Sequence, residues 1–112
     1  MIPKRLTRVG EMIREELSAM LLRDLKDPRI GFVTITDVVM SPDLRQARVY
    51  FSRIGDEAER AESLRGLQAA AGFMRRELGH RLALKFAPEL RFFYDESLDT
   101  GERIDRLLKG IE

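Results

Sequence analysis

Arg65, Ala69, Gly72, Arg76, Gly79 and Ala83 recur at steps of three and four, the spacing of one line along a helix. That line holds two guanidinium groups and otherwise only small residues, with Arg75 and Arg81 flanking it. A face so bare and positive lets main chain approach a partner closely while presenting cations to it. A second cationic group, Lys4, Arg5 and Arg8, falls at the start of the first predicted helix, where it opposes the local dipole and gains nothing structurally. Phosphate contact is the preferred explanation of such a placement, and solubility is the alternative.

Catalytic constellations are missing by residue type. His80 is the sole histidine, so no pair of histidines shares a zinc, and no glycine-rich loop leads into Lys-Ser/Thr. The absence of cysteine removes disulfides and thiolate metal sites. Asp95, Glu96 and Asp99 have the chemistry for a magnesium ion, but acids around a loop and helix start ordinarily serve as caps. No enzyme activity, metal or cofactor is expected.

Composition narrows the class further. At 112 residues and 44% hydrophobic, residues 1–112 should form a single domain with one modest core. No apolar run approaches the roughly 20 residues of a membrane span, and the charged N-terminal helix is unlike a signal peptide. A cytoplasmic monomer is expected. The net charge of +1 hides segregation: residues 64–94 hold six Arg or Lys against two Glu, while residues 95–102 hold four acids and no base. Such polarity orients a chain on a polyanion.

The elements that must position these groups follow from periodicity. Leu6, Val9, Ile13, Leu17, Met20 and Leu21 mark an amphipathic helix that Asp27-Pro28 stops. Residues 32–40 and 46–53 read as strands joined by Ser41-Pro42-Asp43, giving an antiparallel hairpin with Ala47, Val49 and Phe51 buried and Arg48 and Tyr50 on the other face. Leu64, Leu67, Ala71, Met74, Leu78 and Leu82 form the buried stripe behind the bare arginine face. A straight helix over residues 58–84 would be about 40 Å long, against a globule roughly 35 Å across, so a bend is expected at Ala70-Ala71-Gly72. Residues 90–95 make a third strand with Leu90, Phe92 and Tyr94 on one side and Arg91 and Phe93 on the other. Phe93 and Tyr50 are expected to stay partly accessible, though core packing is the commoner use of such rings. Asp99 then opens a last helix with Ile104, Leu107, Leu108 and Ile111 inward. The sum is α-β-β-α-kink-α-β-α: an α+β, two-layer domain whose three-stranded sheet has helices on one face.

This order resembles the type II KH domain, an RNA-binding fold in which a GxxG loop between two helices receives the nucleic-acid backbone. Here Ala70-Ala71-Gly72 stands in that place, as in the ribosome-binding factor A family. The resemblance covers nearly the whole chain: Arg5-Leu-Thr-Arg8-Val9, Asp27-Pro28-Arg29, Val33-Thr-Ile-Thr-Asp-Val38, Ala47-Arg48-Val49-Tyr50, Pro88-Glu-Leu90-Arg-Phe92, and Arg103-Ile104 with Leu107-Leu108. It implies a non-catalytic assembly factor that binds the small (30S) ribosomal subunit and 16S rRNA. It further implies a role in late maturation and 5′-end processing of that rRNA, growth in the cold, and release by another factor.

On that resemblance, Arg65, Arg76 and main chain around Gly72 meet the rRNA backbone with Arg75 and Arg81 beside them, and Lys4, Arg5, Arg8, Arg45 and Arg48 reach neighbouring phosphates. The rival from another class is a protein-interaction module, in which Ala69, Gly72 and Ala83 pack against a foreign helix without RNA contact. Arginines at the centre of that face argue against it.

Overall fold

The alternation in residues 46–53 is realised as an eight-residue strand at the centre of the molecule. The computed structural model describes residues 3–98, in the order α1 (Lys4–Arg23), β1 (Val33–Met40), β2 (Gln46–Arg53), α2 (Glu57–Arg81) and β3 (Glu89–Tyr94), closed by a 3-10 turn at Glu96–Leu98. The helix expected after Asp99 lies outside the described residues. The sheet order is β1-β2-β3, with β1 antiparallel and β3 parallel to β2. Ala47, Val49 and Phe51 are fully buried, and Leu90 and Phe92 pair beside Ala47 and Val49 on the same face.

One irregularity in β1 could not be read from its composition. The register slips between Ile35 and Asp37, so Thr36 is an extra residue and the side-chain parity reverses there. Ile35 before the bulge and Val38 and Met40 after it therefore all face the core. The Thr36 hydroxyl donates to Asp95 Oδ2 at 2.8 Å, which fixes the bulge against the end of β3. At the hairpin turn, Ser41 and Asp43 bond back to the main chain as expected: Gln46 N donates to Ser41 Oγ and Arg45 N to Asp43 Oδ1, each at 3.0 Å.

Both helices lie on the buried face, α1 over β1 and α2 over β3. Ile13, Leu17 and Met20 from α1 and Leu67, Met74 and Leu78 from α2 join the strand residues in one cluster, with Leu6, Val9, Leu21, Leu64, Ala71 and Leu82 at its margins. Asp56 caps α2 by accepting from Glu59 N, and Glu59 answers with a bond from Asp56 N. After α1, Asp27 accepts from the main-chain N and the guanidinium of Arg29, which holds its carboxyl below the usual carboxylate range. That contact is therefore made above the ordinary carboxylate range and lost as pH falls through the lowered value.

The expected division of the second helix does not occur. α2 is one uninterrupted element of 25 residues through Ala70, Ala71 and Gly72. The expectation assumed a sphere, whereas the protein is a slab of 41 × 37 × 19 Å in which a helix of about 37 Å lies along the plane. Nor does a neighbour among the described residues force a break, since outside the helix's own backbone no heavy atom of theirs lies within 4 Å of where a Gly72 Cβ would stand.

Gly10 is the opposite case. A Cβ there would stand 2.6 Å from the Val38 carbonyl oxygen, so α1 reaches β1 only because that position has no side chain. Gly10→Ala should lower stability by about 1–3 kcal/mol through forced backbone separation. Gly72→Ala should raise it by about 0.5–1 kcal/mol, because an exposed helix interior gains from alanine. Urea denaturation of the two variants beside the parent checks both signs.

Candidate nucleic-acid interface

On a helix turning about 100° per residue, Arg65, Gly72 and Arg76 lie within a wedge of roughly 40°, and the two arginines are about 16 Å apart along the axis. All three are exposed, as is Ala69 between them. Among the described residues neither arginine makes a hydrogen bond or an ion pair, so both guanidinium groups keep their donors available. Behind them, Leu67, Met74 and Leu78 are fully buried and fix the roll of the helix. The result is a rigid line of two free cations with open main chain between them.

Two other arginines of α2 are spoken for. Arg75 lies about 80° from the Arg65 line, and its Nε donates to the Ala87 carbonyl at 3.0 Å, pinning the loop before β3. Arg81 corrects the sequence-based grouping, because it lies about 160° from Arg65 on the other side of the helix. Its guanidinium sits 2.6 Å from Asp24 and 3.6 Å from Glu16 of α1, with Glu77 at 4.0 Å. The bond to Asp24 raises its pKa further, so it stays charged and clamps the two helices together.

The remaining expected cations divide between separate places. Lys4, Arg5 and Arg8 occupy the first turns of α1, exposed, with Pro3 offering no side-chain cap and no acid nearby in that turn. Arg45 leans over the ring of Phe86 at 4.9 Å, which brings it beside the loop that Arg75 holds. Arg48 lies on the sheet face opposite α1 and α2, 5.4 Å from the Phe93 ring and 5.9 Å from that of Tyr50. It is thus on the opposite broad side of the slab from Arg65 and Arg76. Sequence reasoning missed Lys85 and Phe86, whose cation-ring contact depends on how the loop turns after α2.

A hollow of about 1020 Å³ runs from the sheet face opposite the helices round its edge to Leu64 of α2, and is lined among others by Arg48, Tyr50, Phe93, Asp37, Asp95 and Glu96. Asp95 there accepts from the hydroxyls of Thr36 and Ser97 and also from Ser97 N at 3.2 Å, and the last is the capping work expected of such acids. Among the described residues no group of three or more His, Asp or Glu is placed to hold a metal ion, and Asp99 lies outside them. His80 is exposed.

With this geometry in hand, comparison with known proteins decides the family. The family model described as ribosome-binding factor A matches residues 5–108. This chain belongs to the ribosome-binding factor A family. A ribosome-binding factor A of Geobacter sulfurreducens is 52% identical over 108 residues, covering 96% of this chain and 92% of the relative. The crystal structure of ribosome-binding factor A from Thermus thermophilus superimposes with a TM-score of 0.69 at 25% identity, covering 80% of this chain and 94% of the other. A Thermus thermophilus ribosome-binding factor A model fitted into a cryo-electron microscopy map of a 30S complex gives a TM-score of 0.60 at 26% identity, covering 80% and 90%. The ribosome-binding factor A family comprises ribosome-binding factors, not enzymes. Among the described residues no helix is long and apolar enough to cross a membrane.

The division of arginines is testable by stability alone. Arg81→Ala should lower the melting temperature, and the loss should shrink on an Asp24→Ala background, whereas Arg76→Ala should leave melting unchanged. Thermal unfolding followed by circular dichroism on the four combinations of Arg81 and Asp24 reads the coupling.

Proposed function

We propose that this chain binds the small ribosomal subunit by laying the outward face of α2 against the backbone of 16S rRNA. The observation that carries this is the pairing state of the arginines: Arg65 and Arg76 are exposed and unengaged among the described residues, while Gly72 between them leaves main chain open. Free guanidinium groups on a rigid helix suit phosphate, and a face without bulk lets the ribose-phosphate chain come close. Lys4, Arg5 and Arg8 supply a second cationic end, and Arg45 extends the face toward the α2–β3 loop. Membership of the family, together with the 30S complex in which a relative has been placed, supports the choice of partner.

In this reading residues 1–112 act as one RNA-binding domain in the cytoplasm, and the action is stoichiometric. Binding favours one local arrangement of immature rRNA over others by differential affinity, and the factor leaves when the mature arrangement no longer suits it, aided by another assembly factor. Late maturation of the subunit follows, including processing of the 5′ end of 16S rRNA by nucleases, with its largest effect on growth in the cold, where misfolded RNA rearranges slowly. The protein itself makes and breaks no bond.

Replacing both arginines, Arg65→Glu with Arg76→Glu, should weaken cosedimentation with small subunits at least about tenfold and reduce the slope of log affinity against log salt by about two. Melting should stay unchanged, since neither side chain supports the fold. Undiminished cosedimentation would reject α2 as the contact face.

A further inference from the structure

The loop between α2 and β3 carries an aromatic ring that the fold does not use. Phe86 is 54% exposed, although Pro88 two residues later is fully buried and anchors the loop. Arg75 holds the Ala87 carbonyl at 3.0 Å, and Ala87 packs where Gly79 has no side chain, 3.5 Å from the site of its missing Cβ. Phe86 is therefore fixed at its base and open at its ring. Two cations lie against that ring, the Arg45 guanidinium at 4.9 Å and the Lys85 ammonium at 5.6 Å from its centroid. Neither side chain forms an ion pair with an acid among the described residues, although Asp43 lies near enough to Arg45 to feel its charge. The neighbour Gly79 lies about 40° from the Arg65 line, so the loop borders the cationic face of α2.

A half-exposed ring with two cations held over it outside any ion pair is the composition of a single-strand site, where a base displaces the mobile side chains to stack on the ring and adjoining phosphates meet the charges. We propose that Phe86, with Arg45 and Lys85, stacks an unpaired nucleobase of RNA at the end of the α2 face. Duplex RNA cannot enter such a site, because its base faces are already stacked on one another and only loops, bulges and ends present them. The site deepens the rRNA reading of α2 and rests on it: the helix holds backbone, and the loop requires that the strand be unpaired there. The ring also gives selectivity of a kind that arginines alone lack, since phosphates are displayed by paired and unpaired RNA alike.

The test uses the full chain and two labelled RNAs, a single strand of about eight nucleotides of mixed sequence and a duplex of the same length, with affinity read by fluorescence anisotropy. Phe86→Leu keeps an apolar side chain without a π face and should weaken single-strand binding about tenfold, while Phe86→Tyr keeps affinity within about twofold. Duplex binding should be unaffected by either, and circular dichroism verifies that both variants melt as the parent does. Lys85→Gln should weaken the single strand and flatten its salt dependence. Parental single-strand affinity in Phe86→Leu, an equal loss on the duplex, or no single-strand binding by the parent overturns the proposal. Failure of the Arg65 and Arg76 reversals to weaken subunit binding rejects the α2 reading itself. Weakened subunit binding beside an unaffected Phe86→Leu rejects the stacking site alone.

Discussion

β3 runs parallel to β2, and most of the molecule is a consequence of that pairing. A parallel neighbour obliges the chain to travel back from the end of β2 at Arg53 to the start of β3 at Glu89, beside Gln46. β2 spans about 26 Å, so the return must be at least that long, and a hairpin turn cannot supply it. α2 is that return. Its minimum length is set by the strand that it retraces, its inner stripe by the sheet face that it covers, and its outer line by whatever is left over. The outer line of Arg65, Gly72 and Arg76 owes its continuity and its exposure to the same requirement.

Two close approaches allow so thin a slab to hold. At Gly10 the first helix comes down onto the Val38 carbonyl, and at Gly66 the second receives Ile30, whose Cγ1 would lie 2.7 Å from an added Cβ. Around that second contact, Ser63 Oγ donates to the Ile30 carbonyl at 2.7 Å, and Arg53 Nη1 donates to the same carbonyl and to Ser63 Oγ, each at 3.0 Å. The buried hydroxyl and the guanidinium thus satisfy each other and the loop between α1 and β1. Packing, rather than helix propensity, fixes how α2 is rolled about its axis, and the roll decides which arginines look outward.

What was legible in the sequence is what depends on period. The stripes of α1 and α2, the inward residues of β2 and β3, and the hairpin turn all follow from spacing that a single side chain cannot disguise. The bulge at Thr36 was not legible, because a run of β-branched residues looks alike in either parity and only pairing with β2 shows where one residue is extra. The division of α2 was expected from a global dimension, and a flat molecule has no one dimension to compare with a helix. Within the candidate site, Arg65 and Arg76 were correctly placed on one face by periodicity, while Arg81 needed knowledge of Asp24, 57 positions away, to be recognised as a clamp. Phe86 carried no signal at all, since an isolated aromatic before a proline is ordinarily core, and its exposure depends on Ala83 turning the chain through a left-handed conformation.

Gly72 gives the clearest reason to look for function on the outside of α2. A glycine within a helix is destabilising by roughly 0.5–1 kcal/mol relative to alanine. At Gly10 and Gly66 that loss is offset, because a side chain would collide with main chain or with Ile30 and hold the layers apart. At Gly72 nothing among the described residues offsets it: the position is exposed, the helix continues on both sides, and no other described residue comes within 4 Å of where a Cβ would stand. Fold stability alone would favour alanine there. On the proposed reading the gain comes from RNA backbone that approaches the helix from solvent and needs the room, with the two guanidinium groups on either side suited to its negative charge.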